Sequence, residues 1–450
     1  MKEIPYYKDK QVLVLGMAKS GYSAAKLLVH LGARVVVNDR ADLEGDPRAR
    51  ELAALGVKVV GGGHPSDLVT EETDVIIKNP GIPYTNPLVE KAERLGIPVI
   101  TEVELAAQVS EAPFVGITGS NGKTTTTALI GEMLKGGPAR PIVAGNIGTA
   151  LSEVAQSATA EDVIVAELSS FQLLGTRTFR PRTAVFLNLF EAHLDYHGSM
   201  EAYAQAKAMI TKNQTPADVL VYNADDPLVK KWTANTRAQK VPFSLKEQVD
   251  GAYLSDGVLY FRGEAIIRRD RLGMPNVDHN VANALAAVAV AKVHGVATDF
   301  IRRVLEDFKG MKHRLQYVTT INGRAFYNDS KATNVLATSK ALNAFHQPII
   351  LLAGGLDRGN DFDGLIPGLS RVKAVIAFGQ TKEKIAGTAE KAGVKRVRLV
   401  DNMAEAVTAA YGLSEPGDVI LLSPACASWD QYRSYEERGD MFIKSVHTLK

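Results

Sequence analysis

Nine residues, Gly116-Ile117-Thr118-Gly119-Ser120-Asn121-Gly122-Lys123-Thr124, join an apolar run to a helix-like stretch from Thr125 to Leu134. A strand that breaks at glycines and resumes as a helix points to an α/β layer with a helix N-terminus at the strand tip. Such a turn is a phosphate cradle. Glycines let backbone N–H groups close on phosphate oxygens, Lys123 adds a mobile charge, and the Thr124 hydroxyl suits Mg2+. The spacing departs from the common Walker form, because the leading glycine stands six rather than five residues before Gly122 and Gly119 lies inside the loop. A ligand-free turn is the plainer alternative, but Gly-Lys-Thr in this position favours a nucleoside triphosphate. Gly119, Ser120, Asn121, Gly122, Lys123, Thr124 and Thr125 are the expected contacts.

At 450 residues with 46% hydrophobic content, the chain is long enough for about three domains with buried cores. Its formal charge of +2 leaves no basic stripe for nucleic acid. No apolar run reaches the roughly 18 residues needed to span a bilayer, and the N-terminus has no signal core. A cytoplasmic protein without nucleic-acid or membrane partners is expected. One cysteine, Cys426, excludes an intrachain disulfide and reads as a small buried thiol.

Alternating strand and helix patterns fill three segments, so the fold class is α/β, with three consecutive α/β domains at 1–105, 106–311 and 312–450. In the first, Gln11 to Leu15, Tyr22 to Leu31 and Val35 to Asn38 form a βαβ unit. Its turn, Gly16 to Gly21, is a loose dinucleotide fingerprint followed by Asp39, compatible with NAD, with another nucleotide or diphosphate, or with no ligand. Asp74 to Lys78 is a further strand, running into the stiff turn Asn79-Pro80-Gly81-Ile82-Pro83. The second domain has strands at Phe114 to Thr118, Ile142 to Ala144, Val163 to Ala166, Ala184 to Leu187 and Val219 to Tyr222. The third has Ala325 to Asn328, Pro348 to Leu352, Ala374 to Phe378 and Val419 to Leu422, again a parallel-sheet pattern.

Polar residues collect where these strands end. Glu167 follows a buried strand, where a nucleotide-binding sheet puts a Mg2+ ligand, although it could instead cap the next helix. His193 follows another strand end and suits a metal or substrate. Lys207, on a helix among alanines, reads as solvated. Asn280 and Asn283 share a helix face and could grip an adenine or phosphate, though N-capping explains Asn280 equally well. In the third segment, Arg314, the cluster Asn328 to Asn334, the glycine-rich stretch Leu352 to Phe362, and Ser423 to Asp430 are similarly polar.

These motifs jointly resemble the Mur ligase family along essentially the whole chain: Gly116 to Thr124, Ala144-Gly-Asn-Ile-Gly148, Glu167-Leu-Ser-Ser-Phe-Gln-Leu173, Asn328-Asp-Ser-Lys-Ala-Thr-Asn334 and Ser423-Pro-Ala-Cys-Ala-Ser428, in the family's order. The resemblance implies an N-terminal Rossmann-like domain for the UDP part of a substrate, a central P-loop-type ATPase domain, and a Rossmann-like C-terminal domain that closes over ATP and receives an amino acid. It implies an ATP-dependent ligase that adds D-glutamate to UDP-N-acetylmuramoyl-L-alanine through an acyl phosphate, as a monomer. By the same resemblance, Lys123, His193 and Lys207 are catalytic. Thr124, Glu167, His193 and Lys207, the last carbamylated, serve two Mg2+ sites. Asn280, Asn283, Arg314 and Asp329 join the loop in holding ATP. Gly16, Ser20, Asp39, Arg40, Asn79, Gly81, Asn146 and His193 meet the UDP substrate, and Lys331, Thr333, Arg358, Ser428 and Tyr435 form the D-glutamate pocket. Two positions depart from the D-glutamate-adding pattern: Arg358 replaces a lysine and Tyr435 a phenylalanine. Arginine still grips a carboxylate. The Asp-Asn-Pro-Arg motif of diaminopimelate-adding relatives is absent. A sister ligase, a nucleotide-gated binding protein and a dehydrogenase are the rival readings; the last would leave the phosphate loop idle.

Overall fold

Three sheets organise the computed structural model, which describes residues 1–345 and 347–449. The first contains β1 (Gln11–Leu15), β2 (Arg34–Asn38), β3 (Lys58–Val60), β4 (Val75–Lys78) and β5 (Val99–Ile100), all parallel, in the order β3-β2-β1-β4-β5. Strand order reverses between β1 and β4, which opens a crevice at their carboxyl ends of the kind where open α/β sheets bind ligands. Gly16 turns out of β1 at φ +93°, and a Cβ there would approach the Asn79 Cβ to 2.8 Å. At Gly21 a Cβ would overlap the Gly16 carbonyl, so only glycine lets the helix Lys19–His30 start this close to the turn.

The second sheet has nine strands: β6 (Phe114–Thr118), β7 (Arg140–Gly145), β8 (Asp162–Glu167), β9 (Thr183–Phe186), β10 (Val219–Asn223), β11 (Gln239–Ser244), β12 (Ala252–Ser255), β13 (Val258–Phe261) and β14 (Glu264–Arg268). Their order is β14-β13-β12-β11-β10-β9-β6-β8-β7, all running one way except β13, which is antiparallel to both its neighbours, β12 and β14. Two tight turns, Asp256-Gly257 and Arg262-Gly263, have positive φ at both residues and fold this antiparallel edge. The third sheet comprises β15 (Gln316–Ile321), β16 (Arg324–Asn328), β17 (Ile349–Gly354), β18 (Val372–Phe378), β19 (Val397–Leu399) and β20 (Val419–Leu422), ordered β15-β16-β20-β17-β18-β19. It is parallel apart from β15, which pairs with β16 around Asn322-Gly323.

Packing divides the chain into two compact units, residues 1–272 with 276–308 and residues 273–275 with 309–450. The first two sheets therefore share one unit. One apolar cluster runs from Val14 and Leu28 through Leu105 to Phe114 and Leu168. Helix Glu102–Val109 fastens them with carboxylates: Glu102 accepts from the Ser152 N–H, and Glu104 accepts from the N–H groups of Arg177, Thr178 and Phe179 at 2.8 to 3.0 Å. Among the described residues, no helix is long and apolar enough to cross a membrane.

Candidate active site

Strand β6 is fully buried between β8 and β9, so the loop that leaves it stands over the middle of the second sheet. Gly119 takes φ +153°, where a Cβ would come within 2.9 Å of the Leu187 Cβ. Gly122 starts helix Lys123–Leu134 in the left-handed region, at φ +81°, and a Cβ would overlap the Asn283 amide. The segment after β9 braces the loop. Asn188 accepts from the Ser120 N–H with its carbonyl at 2.9 Å and from the Asn121 N–H with Oδ1 at 2.8 Å. With those two amides engaged, the first-turn N–H groups of the following helix, which lack intrahelical partners, are the donors suited to phosphate. Asn188 was not among the expected site residues; its signal was an amide immediately after a third strand tip.

Two lysine nitrogens meet one carbonyl: Lys123 Nζ and Lys207 Nζ donate to the Gly119 oxygen at 2.9 and 2.8 Å. Lys207 is 1% exposed and lies 4.8 Å from the centre of the Tyr203 ring, so the solvated reading fails. Burial, then the charge of Lys123, pushes its pKa well below the usual lysine range, with Glu167 opposing. Tyr203 stands four residues earlier on the same helix, hence on the same face, and also donates to Ser120 Oγ at 3.0 Å.

Glu167 ends β8 and is 2% exposed. Its Oε1 accepts from Asn146 Nδ2 at 2.8 Å, while its buried Oε2 has no hydrogen-bond partner. It is not a helix cap; Ser169 and Gln172 form the capping box of the next helix. A lone buried carboxylate oxygen is a hard donor of the sort Mg2+ takes, and the Thr124 side chain is also buried. His193 is exposed, in the left-handed region at φ +56°, with its ring 5.0 Å from Phe171 and 6.4 Å from Tyr203. No cluster of three His, Cys, Asp or Glu suited to a metal occurs among the described residues. The expected set includes only two such residues, Glu167 and His193.

At the first sheet's crevice, Asn79 Nδ2 donates to Ser20 Oγ at 3.2 Å and Asn79 Oδ1 accepts from the Gly81 N–H at 3.2 Å. Gly16, Ser20, Asn79 and Gly81 thus gather at one place. Asp39 holds the turn itself, accepting from the N–H groups of Met17 at 2.7 Å and Ala41 at 2.9 Å, and Arg40 is exposed. Lys19 Nζ donates to the Gly148 carbonyl, linking this turn to the loop that carries Asn146. Helix Asp278–Val293 begins after Val277 with no side-chain cap, so Asn280, its third residue, is not the N-cap. Asn283 is buried against Gly122.

In the second unit, Asp329 follows β16 and accepts from Ser423 Oγ at 2.9 Å and the Leu315 N–H at 3.1 Å. Burial pushes its pKa up to about 7, against these bonds and the charge of Arg314. Lys331 Nζ lies 5.5 Å from the Tyr435 ring centre, and burial, with Glu436 beside it, pushes that phenol up to about 12. Arg358 is exposed and stacks on Trp429 at 4.9 Å, beside the buried Ser428; Thr333 is exposed. Cys426 is buried, as expected, and burial pushes its thiol up. Arg438, absent from the expected set, is fully buried. It donates to Ser330 Oγ at 3.0 Å, the Ser330 carbonyl at 2.9 Å and the Cys426 carbonyl at 3.0 Å. Nothing in its local pattern, on an acidic helix start, distinguishes it from a solvated arginine.

Three family profiles match the chain in sequence: the Mur ligase MurD-like N-terminal domain at 10–101, the Mur ligase middle domain at 117–291, and the Mur ligase glutamate ligase domain at 313–426. Proteins named UDP-N-acetylmuramoylalanine–D-glutamate ligase from Geobacillus sp. (strain WCH70) and Geobacillus kaustophilus (strain HTA426) are 59% and 58% identical to it, over all of both chains. Among solved structures, UDP-N-acetylmuramate-alanine ligase MurC from Thermotoga maritima has the same fold at 19% identity and TM-score 0.56, covering 98% of this chain and 100% of its own. MurF ligase from Thermotoga maritima, solved in complex with ADP, gives 18% identity and TM-score 0.55 over 98% and 96%. The chain therefore belongs to the Mur ligase family, alongside the UDP-N-acetylmuramoylalanine–D-glutamate ligases that it matches from end to end.

Proposed function

We propose that this chain joins D-glutamate to UDP-N-acetylmuramoyl-L-alanine at the expense of ATP, in the cytoplasm and as a monomer, within peptidoglycan precursor synthesis. The observation that carries the chemistry is the convergence of Lys123 and Lys207 on the Gly119 carbonyl, at the mouth of a glycine loop and helix N-terminus. A γ-phosphate seated there meets backbone N–H donors and the Lys123 ammonium, which stabilise charge as the L-alanyl carboxylate oxygen bonds the γ-phosphorus, the β–γ P–O bond breaks and ADP leaves. The amine of D-glutamate then attacks the acyl phosphate carbon, the C–O bond to phosphate breaks, and an amide and inorganic phosphate remain.

Thr124, Glu167, His193 and Lys207 would hold Mg2+, which when bound supplies charge neutralisation at the phosphates. The unpartnered Glu167 oxygen fits that role. Lys207 fits it only as an anion. A buried amine held toward its neutral form is the species that adds CO2, and the resulting carbamate is a carboxylate-like ligand. Gly16, Ser20, Asp39, Arg40, Asn79, Gly81, Asn146 and His193 are assigned to the UDP substrate. Asn280, Asn283, Arg314 and Asp329 are assigned to ATP. Lys331, Thr333, Arg358, Ser428 and Tyr435 are assigned to D-glutamate, whose side-chain carboxylate suits the Arg358 fork.

Phosphate release by the purified protein with ATP, Mg2+ and UDP-N-acetylmuramoyl-L-alanine, across a panel of amino acids, tests this. D-Glutamate alone should give rapid release. Release with L-alanine or a diamino acid and none with D-glutamate would move the chain to a sister branch.

A further inference from the structure

Lys78 is the last residue of β4, whose four residues are all buried, and is itself 0% exposed. Its Nζ donates to the Ile82 carbonyl at 2.7 Å, the Pro80 carbonyl and Tyr196 hydroxyl at 3.2 Å, and the Asn79 carbonyl at 3.3 Å. The rings of Tyr84 and Tyr196 lie 4.7 and 5.9 Å away. No carboxylate is among these partners. Carbonyl dipoles and π faces balance the charge instead, and burial lowers the pKa to about 8.

We propose that Lys78 is a positioning residue for the nucleotide-sugar substrate: it draws three carbonyls of the Asn79–Ile82 turn to one point and ties them, through Tyr196, to the short helix that starts after His193. This rests on the assignment of Asn79, Gly81 and His193 to the UDP substrate. In a trans peptide the carbonyl and N–H point opposite ways, so fixing the Pro80 carbonyl on Lys78 turns the Gly81 N–H away from it. That N–H meets Asn79 Oδ1, and Asn79 Nδ2 meets Ser20 Oγ in the glycine turn. On the other side, Tyr196 donates to the Pro80 and Ile82 carbonyls at 3.2 and 3.0 Å, and its ring packs edge-on against Phe171, which also touches His193. One ammonium therefore sets the register between the crevice of the first sheet and the His193 segment of the second. A methionine would fill similar space without the cost of burying a charge. The contribution of lysine is the convergence of the carbonyls.

The test compares wild type with Lys78→Met and Tyr196→Phe in the full-length protein, by steady-state kinetics and by calorimetric binding of UDP-N-acetylmuramoyl-L-alanine. Both variants should melt cooperatively, raise KM and Kd for the UDP substrate about tenfold or more, and leave KM for ATP within about twofold. The double variant should be no worse than Lys78→Met, because both act through one network. Unchanged UDP-substrate affinity in a folded Lys78→Met, or an equal loss for ATP, overturns the role. Should Lys78→Met fail to fold, Tyr196→Phe decides by the same criteria. A wild-type protein that does not bind the UDP substrate defeats the functional assignment and the positioning role with it, whereas a binding wild type with equally binding variants defeats the positioning role alone.

Discussion

Lys207 and Asp329 are both driven by burial toward their neutral forms, and each leaves a measurable trace. For Lys207 the trace is chemical. Burial and the charge of Lys123 hold this amine toward the neutral form that the proposed CO2 addition needs, so on that proposal the protein in 13C-bicarbonate should show a carbamate carbon resonance that Lys207→Ala lacks. Lys207→Ala should lose about 100-fold or more in kcat and recover part of it with formate or acetate. Activity in that variant without added carboxylate would remove the carbamate role. For Asp329 the trace is thermodynamic. Its carboxyl titrates near 3.8 when unfolded and about 7 when folded. Between those values the folded state binds the extra proton, so stability falls as pH rises through the window, and the loss is complete above it. Asp329→Asn removes this dependence while keeping an acceptor for the Leu315 N–H. Its melting temperature relative to wild type should rise from pH 5 to pH 8; a pH-independent difference would show that Asp329 titrates normally.

Among the elements, helix Tyr435–His447 is tied to the third sheet through one fully buried side chain. Arg438 reaches back to carbonyls just beyond β16 and β20, and also lies 3.5 Å from the Gly354 carbonyl that ends β17. Burial lowers its pKa to about 10, still fully charged at neutral pH. Lysine cannot span these acceptors with one point charge, so Arg438→Lys should lose about 2 to 4 kcal/mol in denaturant unfolding, from acceptors left buried and unmet. A loss below about 0.5 kcal/mol would mean that water substitutes freely. The same elements separate what was legible in the sequence from what was not. The buried parallel strands β1, β6, β8 and β20 announce themselves as apolar runs ending in glycine or polar clusters, because both of their faces are covered. The edge strands β12 to β14 mix polar and apolar residues and carry no such run, and the Asp-Gly pair at 256–257, of a composition suited to a hairpin turn, is absent from the sequence-based expectations. Lys207, Lys78 and Arg438 were illegible for another reason. Local pattern gives a lysine or arginine no burial, and only the tertiary meeting of strand tips creates the carbonyl cages that hold them.

At the scale of the whole molecule, three sheets do not make three independent packing units. The first two share an apolar cluster, and helix Glu102–Val109 presents buried carboxylates to backbone N–H groups of the middle domain. Removing those side chains would leave the backbone N–H groups of Ser152, Arg177, Thr178 and Phe179 without their acceptors, so the first sheet should unfold together with the second. Trp232 and Trp429 are the two tryptophans, and only Trp232 belongs to the shared unit, where it packs on its cluster. In a Trp429→Phe background, Trp232 fluorescence therefore follows the middle domain. Leu28, fully buried on the helix Lys19–His30 over the first sheet, is far from Trp232 in the chain. Leu28→Ala should cost about 2 to 5 kcal/mol. If the two sheets unfold as one, the Trp232 midpoint in urea moves by that whole amount with an unchanged slope. A Trp232 transition that stays in place while circular dichroism gains an earlier step would show that the first sheet melts alone. The carboxylate fastening would then be a docking contact rather than part of a single cooperative core.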